Sequence, residues 1–149
     1  MRAFCVVLLA TLALAAAGCG DDTEVEVVWG GPPDPGAGGV VSVNGFASFQ
    51  GSVDEHWESS AVMAAAEFLR LDERTVQRTT IDAQATAEGR GPQTVVVTLD
   101  GLLDDSVSAE RWTLAFDEAD GVYRLTAALR ELRCWPGRGH RAFAPEPCT

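Results

Sequence analysis

Lysine is absent from this chain, so all eleven of its basic residues are arginines. Histidine is limited to His56 and His140. Neither stands in a His-Glu-x-x-His arrangement, no serine sits in Gly-x-Ser-x-Gly, and no Gly-Lys-Ser/Thr closes a glycine-rich loop. These absences remove the zinc-peptidase, nucleophile-elbow and phosphate-loop signatures. Paired-carboxylate chemistry stays open, because 22 acids are present and their separation in space is not written in a sequence. The formal charge of −11 repels nucleic acid and anionic headgroups. The longest apolar run, Ala3 to Ala17, has 15 residues, short of the about 20 that a membrane-spanning helix needs.

What is there begins with Met1-Arg2, that apolar run, and small residues leading into Gly18-Cys19. Charge, apolar stretch and small residues in this order mark an export signal. The segment Leu14-Ala15-Ala16-Ala17-Gly18-Cys19 resembles the lipobox of bacterial lipoproteins, with Ala16 where that pattern prefers leucine. The resemblance implies a lipid on Cys19, a mature chain starting there, and the bilayer as a partner on the periplasmic or cell-surface side. Ordinary cleavage after Ala17 is the alternative. Without residues 1–18, ten arginines face 22 acids, a formal balance of −12. Cys5 leaves with the signal and Cys19 carries lipid, which leaves Cys134 and Cys148 as the expected disulfide of an exported protein.

Residues 19–39 include Gly30-Gly31-Pro32-Pro33-Asp34-Pro35-Gly36-Ala37-Gly38-Gly39, read as a solvated tether. Glu24 to Trp29 alternates like a strand. A single domain is expected over 40–149, long enough for one core. Val40 to Phe49 is rich in β-branched and aromatic residues and predicts a strand. Ser52 with Glu55 fits a capping box, and Ser60 starts a helix whose apolar face is Val62, Ala65, Ala66 and Leu69. Thr79 to Ala87 alternates, predicting a strand with one buried face. Gly89 to Pro92 is a turn, and Thr94 to Leu99 is an unbroken run suited to a strand covered on both sides. Ala109 to Phe116 places Trp112, Leu114 and Phe116 on one side, and a turn at Asp117 to Gly121 leads to a strand burying Tyr123, Leu125, Ala127 and Leu129. The expected fold is α+β, one helix on a four- to five-stranded antiparallel meander in the order β-α-β-β-β-β. That order resembles the cystatin-like arrangement, which includes the nuclear-transport-factor-like pocket proteins.

The C-terminal stretch from Arg133 to Cys148 stands apart, because residues 130–149 carry +2 and residues 19–129 carry −14. Arg133, Arg138, His140 and Arg141 form a candidate anion site of forked donors. The alternative is that these arginines pair with the domain's own acids while Trp135 and Phe143 close the end of the sheet. Asp100-Gly101-Leu102-Leu103-Asp104-Asp105-Ser106-Val107, with Arg133-Cys134, Gly137-Arg138-Gly139-His140 and Glu146-Pro147-Cys148, is similar to a family of small, uncharacterised bacterial exported lipoproteins. The resemblance covers about a third of the chain, Leu99 to Cys148, and implies no activity. Asp100, Asp104 and Asp105 lack the alternate oxygens of a calcium loop and are expected in turns. His56, beside Asp54, Glu55 and Glu58, has too few His or Cys neighbours for zinc. No cofactor is expected. The functional expectation is a membrane-anchored, non-catalytic domain that binds an envelope protein or small ligand. The alternative is a pocket enzyme using His56 or His140 with a carboxylate as a proton-transfer pair.

Overall fold

The computed structural model describes residues 27–34, 36–86 and 91–149; Cys19, the Glu24–Glu26 part of the first alternating segment and the first two residues of the Gly89–Pro92 turn lie outside them. The described chain is α+β, with five antiparallel strands and two α-helices. In chain order these are β1 (Gly39–Val41), α1 (Asn44–Gln50), α2 (Ala61–Leu69), β2 (Val76–Gln84), β3 (Gln93–Leu102), β4 (Val107–Ala119) and β5 (Val122–Cys134), with a 3-10 turn at His56–Ser59 before α2. Across the sheet the strands run β1-β5-β4-β3-β2, so the first strand returns beside the last.

The strand expected from Val40 to Phe49 is corrected to three residues of β1 followed by helix. Its β-branched residues end at Val43. Beyond that point Phe46, Phe49 and Gln50 fall at offsets of three and four, a helical spacing that presents one apolar face to the core. Phe46 and Gln50 are buried. The Ser60 cap is present, its hydroxyl accepting from Met63 N–H at 3.4 Å. The buried face of α2 is rotated from the expected one, to Ala61, Ala64, Ala65, Phe68 and Leu69. The capping box likewise starts at Glu55 and uses Glu58, not Ser52 and Glu55.

Trp112, Leu114 and Phe116 turn inward on β4 as expected. Asp120 and Gly121, both at positive φ, make the two-residue turn into β5. A bulge then changes the parity. Phe116 pairs with Leu125 but Ala115 pairs with Ala127, so Thr126 is the extra residue. Tyr123 and Leu125 stay inward, and beyond the bulge it is Ala128 and Leu132 that are buried, in place of the expected Ala127 and Leu129. β3 alternates, burying Val95, Val97 and Leu99, and is not sealed on both sides. β2 buries neither face, because it lies at the sheet margin beyond the helical cover.

Trp29, just before the glycine- and proline-rich segment, and Gly38, near its end, lie against the domain. Trp29 packs among Phe46, Phe49 and Phe68 with ring centroids 5.2 to 6.3 Å apart. Its indole N–H donates to the Phe68 carbonyl at 2.9 Å, one of the acceptors a helix end leaves unpaired. Further along, Gly38 runs so close to Pro145 and the Arg130 carbonyl that a side chain there would meet backbone atoms at 2.6 to 2.8 Å. None of the helices among the described residues is long and apolar enough to cross a membrane.

Candidate functional site

Helices α1 and α2 cover one end of the sheet's inner face and leave the other end open. At that end the inward positions of β4 and β5 carry charge. Glu110 lies two residues before Trp112, and Arg130 is the cross-strand partner of Trp112. Their side chains are 6% and 11% exposed and form an ion pair. Trp112 Nε1 donates to the second Glu110 oxygen at 3.0 Å, and the Arg130 guanidinium lies over the Trp112 ring. Burying two charges is tolerated only where such partners are in place.

The strap, Pro32 to Asp34 with Gly36 and Ala37, closes over this pair. Arg130 donates to Asp34 at 2.9 Å and to the Ala37 carbonyl at 3.3 Å, while its Nε is buried with no partner. The Gly36 amide and then the Arg130 guanidinium, outweighing burial, hold the Asp34 carboxyl below its ordinary value. Between the strap and the sheet lies a cleft of about 270 Å³ with Trp112 and Leu102 among its apolar walls and Arg74, Glu110, Asp34 and Asp104 among its polar ones. Each carboxylate there already accepts from two donors: Glu110 from Arg130 and Trp112, Asp34 from Arg130 and Gly36, Asp104 from the amides of Ser106 and Val107. Arg74 donates only its Nε, to the Leu69 carbonyl at 3.1 Å. Among the described residues its two terminal nitrogens have no hydrogen-bond partner. The unspent capacity of the cleft is therefore donor capacity.

The residues singled out from sequence lie elsewhere. Cys134 and Cys148 form the disulfide, with Cα atoms 5.5 Å apart. Arg133 is spent on the domain's own groups, reaching Asp100 at 2.7 Å and Ser108 at 3.3 Å on the outer face of the sheet. Burial raises the Asp100 carboxyl, but the Arg78 and Arg133 guanidinium groups outweigh it and hold the group below its ordinary value. Phe143 lies under both Arg111 and Arg133, at 4.6 and 5.2 Å. Arg138 and Arg141 are exposed, without a side-chain partner among the described residues. The three candidate anion-binding arginines are thus divided between an occupied ladder and open solvent, and the fourth residue, His140, is held inside the disulfide loop.

Neither histidine lines the cleft. His56 opens the 3-10 turn and is exposed. His140 sits inside the disulfide loop, its Nδ1 2.8 Å from the Ala142 carbonyl and its Nε2 2.9 Å from the Glu146 carbonyl. Carbonyls only accept, so the geometry favours the doubly protonated ring, and those two bonds raise its pKa from the ordinary 6.5. The ring and the two sulfurs are close enough to share a metal, with ligand atoms within 4.8 Å of one another. The disulfide and the two carbonyls occupy every one of those groups.

Glu110, Trp112 and Arg130 escaped the sequence reading as a site. One signal was present, since Glu110 is in phase with the inward Trp112, Leu114 and Phe116. Comparisons with protein-family models, curated proteins and solved structures find no match to this chain.

Proposed function

We propose that this protein is an exported ligand-binding domain, held at an envelope membrane through acylated Cys19, and that its cleft takes a small organic anion. The observation that carries the ligand reading is the Arg74 guanidinium at the rim of a cleft whose carboxylates are already engaged and whose floor includes Trp112. A carboxylate end meeting Arg74 and an apolar body on Trp112 and Leu102 would use what the cleft has to offer. Its volume is at or below the roughly 300 Å³ lower bound for drug-sized ligands, which favours a molecule of amino-acid or monosaccharide size.

The lipid anchor rests on the Ala16-Ala17-Gly18-Cys19 pattern, and the C-terminal Arg-Cys and Gly-Arg-Gly-His motifs support placement among small bacterial exported lipoproteins. One strand, a helical cover and a four-stranded meander support a cystatin-like, nuclear-transport-factor-like lineage. Trp29 is docked on the domain, so the ten-residue step from Cys19 to Trp29 spans at most about 35 Å. The cleft would then work close to the membrane surface.

Two measurements test the two halves of this reading. Labelled fatty acid should enter the wild-type chain and not Cys19→Ser; equal labelling sinks the anchor. Titration of the full-length protein with a panel of small carboxylates, followed by intrinsic fluorescence, should show binding that Arg74→Gln weakens about tenfold to hundredfold, as expected for a hydrogen bond to a charged group. A panel that binds neither protein, or both alike, rules out the cleft.

A further inference from the structure

We propose that β2 is a self-association edge, pairing antiparallel with β2 of a second copy about a two-fold axis through Thr80. β2 is a marginal strand whose inner side is held by β3 and whose outer side has no strand partner among the described residues. It runs nine residues from Val76 to Gln84 with no proline and no lysine. Its pairing with β3 proceeds without a register shift, from Val76↔Leu102 to Gln84↔Thr94. Short length, bulges, prolines and lysines are the usual means of keeping such an edge from pairing, and β2 uses none of them. Residues 77–84 are exposed on both faces, so nothing packed above or below obstructs a neighbouring strand.

The sequence of β2 says which occupant fits. Outward-pointing amides and carbonyls alternate along a strand, so two identical antiparallel strands can pair only about an axis that passes through a residue. The axis through Thr80 is the one that engages all nine residues. It sets Arg78 of each copy opposite Asp82 of the other, twice per dimer, and Thr79 opposite Ile81. Opposite charges directly across a pair favour that register. Asp82 has no ion pair or hydrogen bond among the described residues. Arg78 uses one terminal nitrogen on Asp100 at 2.7 Å, and its side chain is 72% exposed. β2 is also neutral, Arg78 against Asp82, within a chain of −11, so the contact brings together no net charge.

The test is sedimentation velocity on the full chain in detergent. The wild type is expected to show a concentration-dependent dimer. Arg78→Asp alone and Asp82→Arg alone each replace two attractive pairs by two repulsive ones and should raise the dissociation constant by about tenfold or more. An equal mixture of the two variants should dimerise again, because in the mixed pair each contact between positions 78 and 82 once more joins an acid to an arginine. The Asp82 side chain has no partner among the described residues, so Asp82→Arg keeps the test valid if Arg78→Asp misfolds beside Asp100. A wild type that is monomeric at every concentration, a dimer that Asp82→Arg leaves intact, or slow amide exchange along the outer side of β2 in the monomer would each overturn the proposal. The last result would mean that a segment of the same chain covers the edge.

Discussion

The two margins of the sheet are built on opposite principles. On the β5 side the backbone is met at both ends as well as in the middle, although β1 covers only Ala128 to Arg130. At one end the Gln50 side-chain amide stands in for a strand, donating to the Tyr123 carbonyl at 3.0 Å and accepting from Leu125 N–H at 3.2 Å. At the other, Ala144 exchanges two bonds with Leu132 at 2.8 and 3.0 Å, and the His140 carbonyl accepts from Cys134 N–H. Among the described residues the β2 side has none of this. The contrast teaches that a sheet edge can be closed by fragments far apart in sequence. Here a tether, a helix end and a disulfide loop share the work, and the effort is spent on one margin only.

The closed margin should be the fragile one under mutation. The largest effect is expected at Arg130, which joins β5 to the strap and neutralises Glu110. Arg130→Ala strands a buried carboxylate and should cost about 3–5 kcal/mol in urea unfolding. A loss below about 1 kcal/mol would mean that Glu110 is solvated in the native protein. Removing the disulfide with Cys134→Ala and Cys148→Ala together should cost about 3 kcal/mol on the chain-entropy estimate for a loop of this size. Amide exchange at Leu132 should quicken with it, and an unchanged rate would detach the loop from the closure of the edge. Gln50→Ala leaves the Tyr123 carbonyl and Leu125 amide buried without partners, for about 1–3 kcal/mol. Gln50→Glu sets a carboxylate oxygen against the Tyr123 carbonyl in a fully buried site, so it should cost at least as much as Gln50→Ala.

How far the sequence discloses these margins depends on parity. The α2 cap, the Asp120-Gly121 hairpin and the Cys134–Cys148 bridge are local signals, and each is where its residues put it. The bulge at Thr126 is not local. It answers to how β4 and β5 fit together, and by reversing the alternation beyond it turns Arg130 inward and Leu129 outward. With that one residue unseen, the ion pair that lines the cleft has no sequence signature beyond the phase of Glu110. Phe46 and Phe49 misled for a related reason. Aromatic residues suit strands in general, yet here the need to cover the sheet's inner face, with Trp29 added from the strap, decides for a helix. The edge status of β2 has no local signal either, since alternation records a preference for burial and the topology decides whether any cover exists.

A smaller effect on the closed margin concerns pH. His140 gains bonds to two carbonyls in the folded loop, and its pKa is raised above the ordinary 6.5. A group of this kind contributes fully below its unfolded pKa, and the contribution fades as pH rises through the folded value. The Cys134–Cys148 loop should therefore loosen as pH rises from the ordinary 6.5 through the raised folded value of His140. Nuclear magnetic resonance titration of the His140 ring should place its midpoint above the ordinary value. A midpoint at or below it would show that one of the two carbonyl bonds is not made in solution.

The open margin supplies the smallest effect and the sharpest contrast. Asp82→Arg alters an exposed side chain with no partner among the described residues, so the stability of the monomer should move by no more than about 0.5 kcal/mol. The comparison gains its force from carrying both readouts on one variant: unfolding of the monomer is unmoved, whereas self-association through β2 is lost. A large destabilisation would show that β2 is tied into the fold by contacts its exposure does not reveal. The two margins would then differ in what covers them and not in whether they are covered.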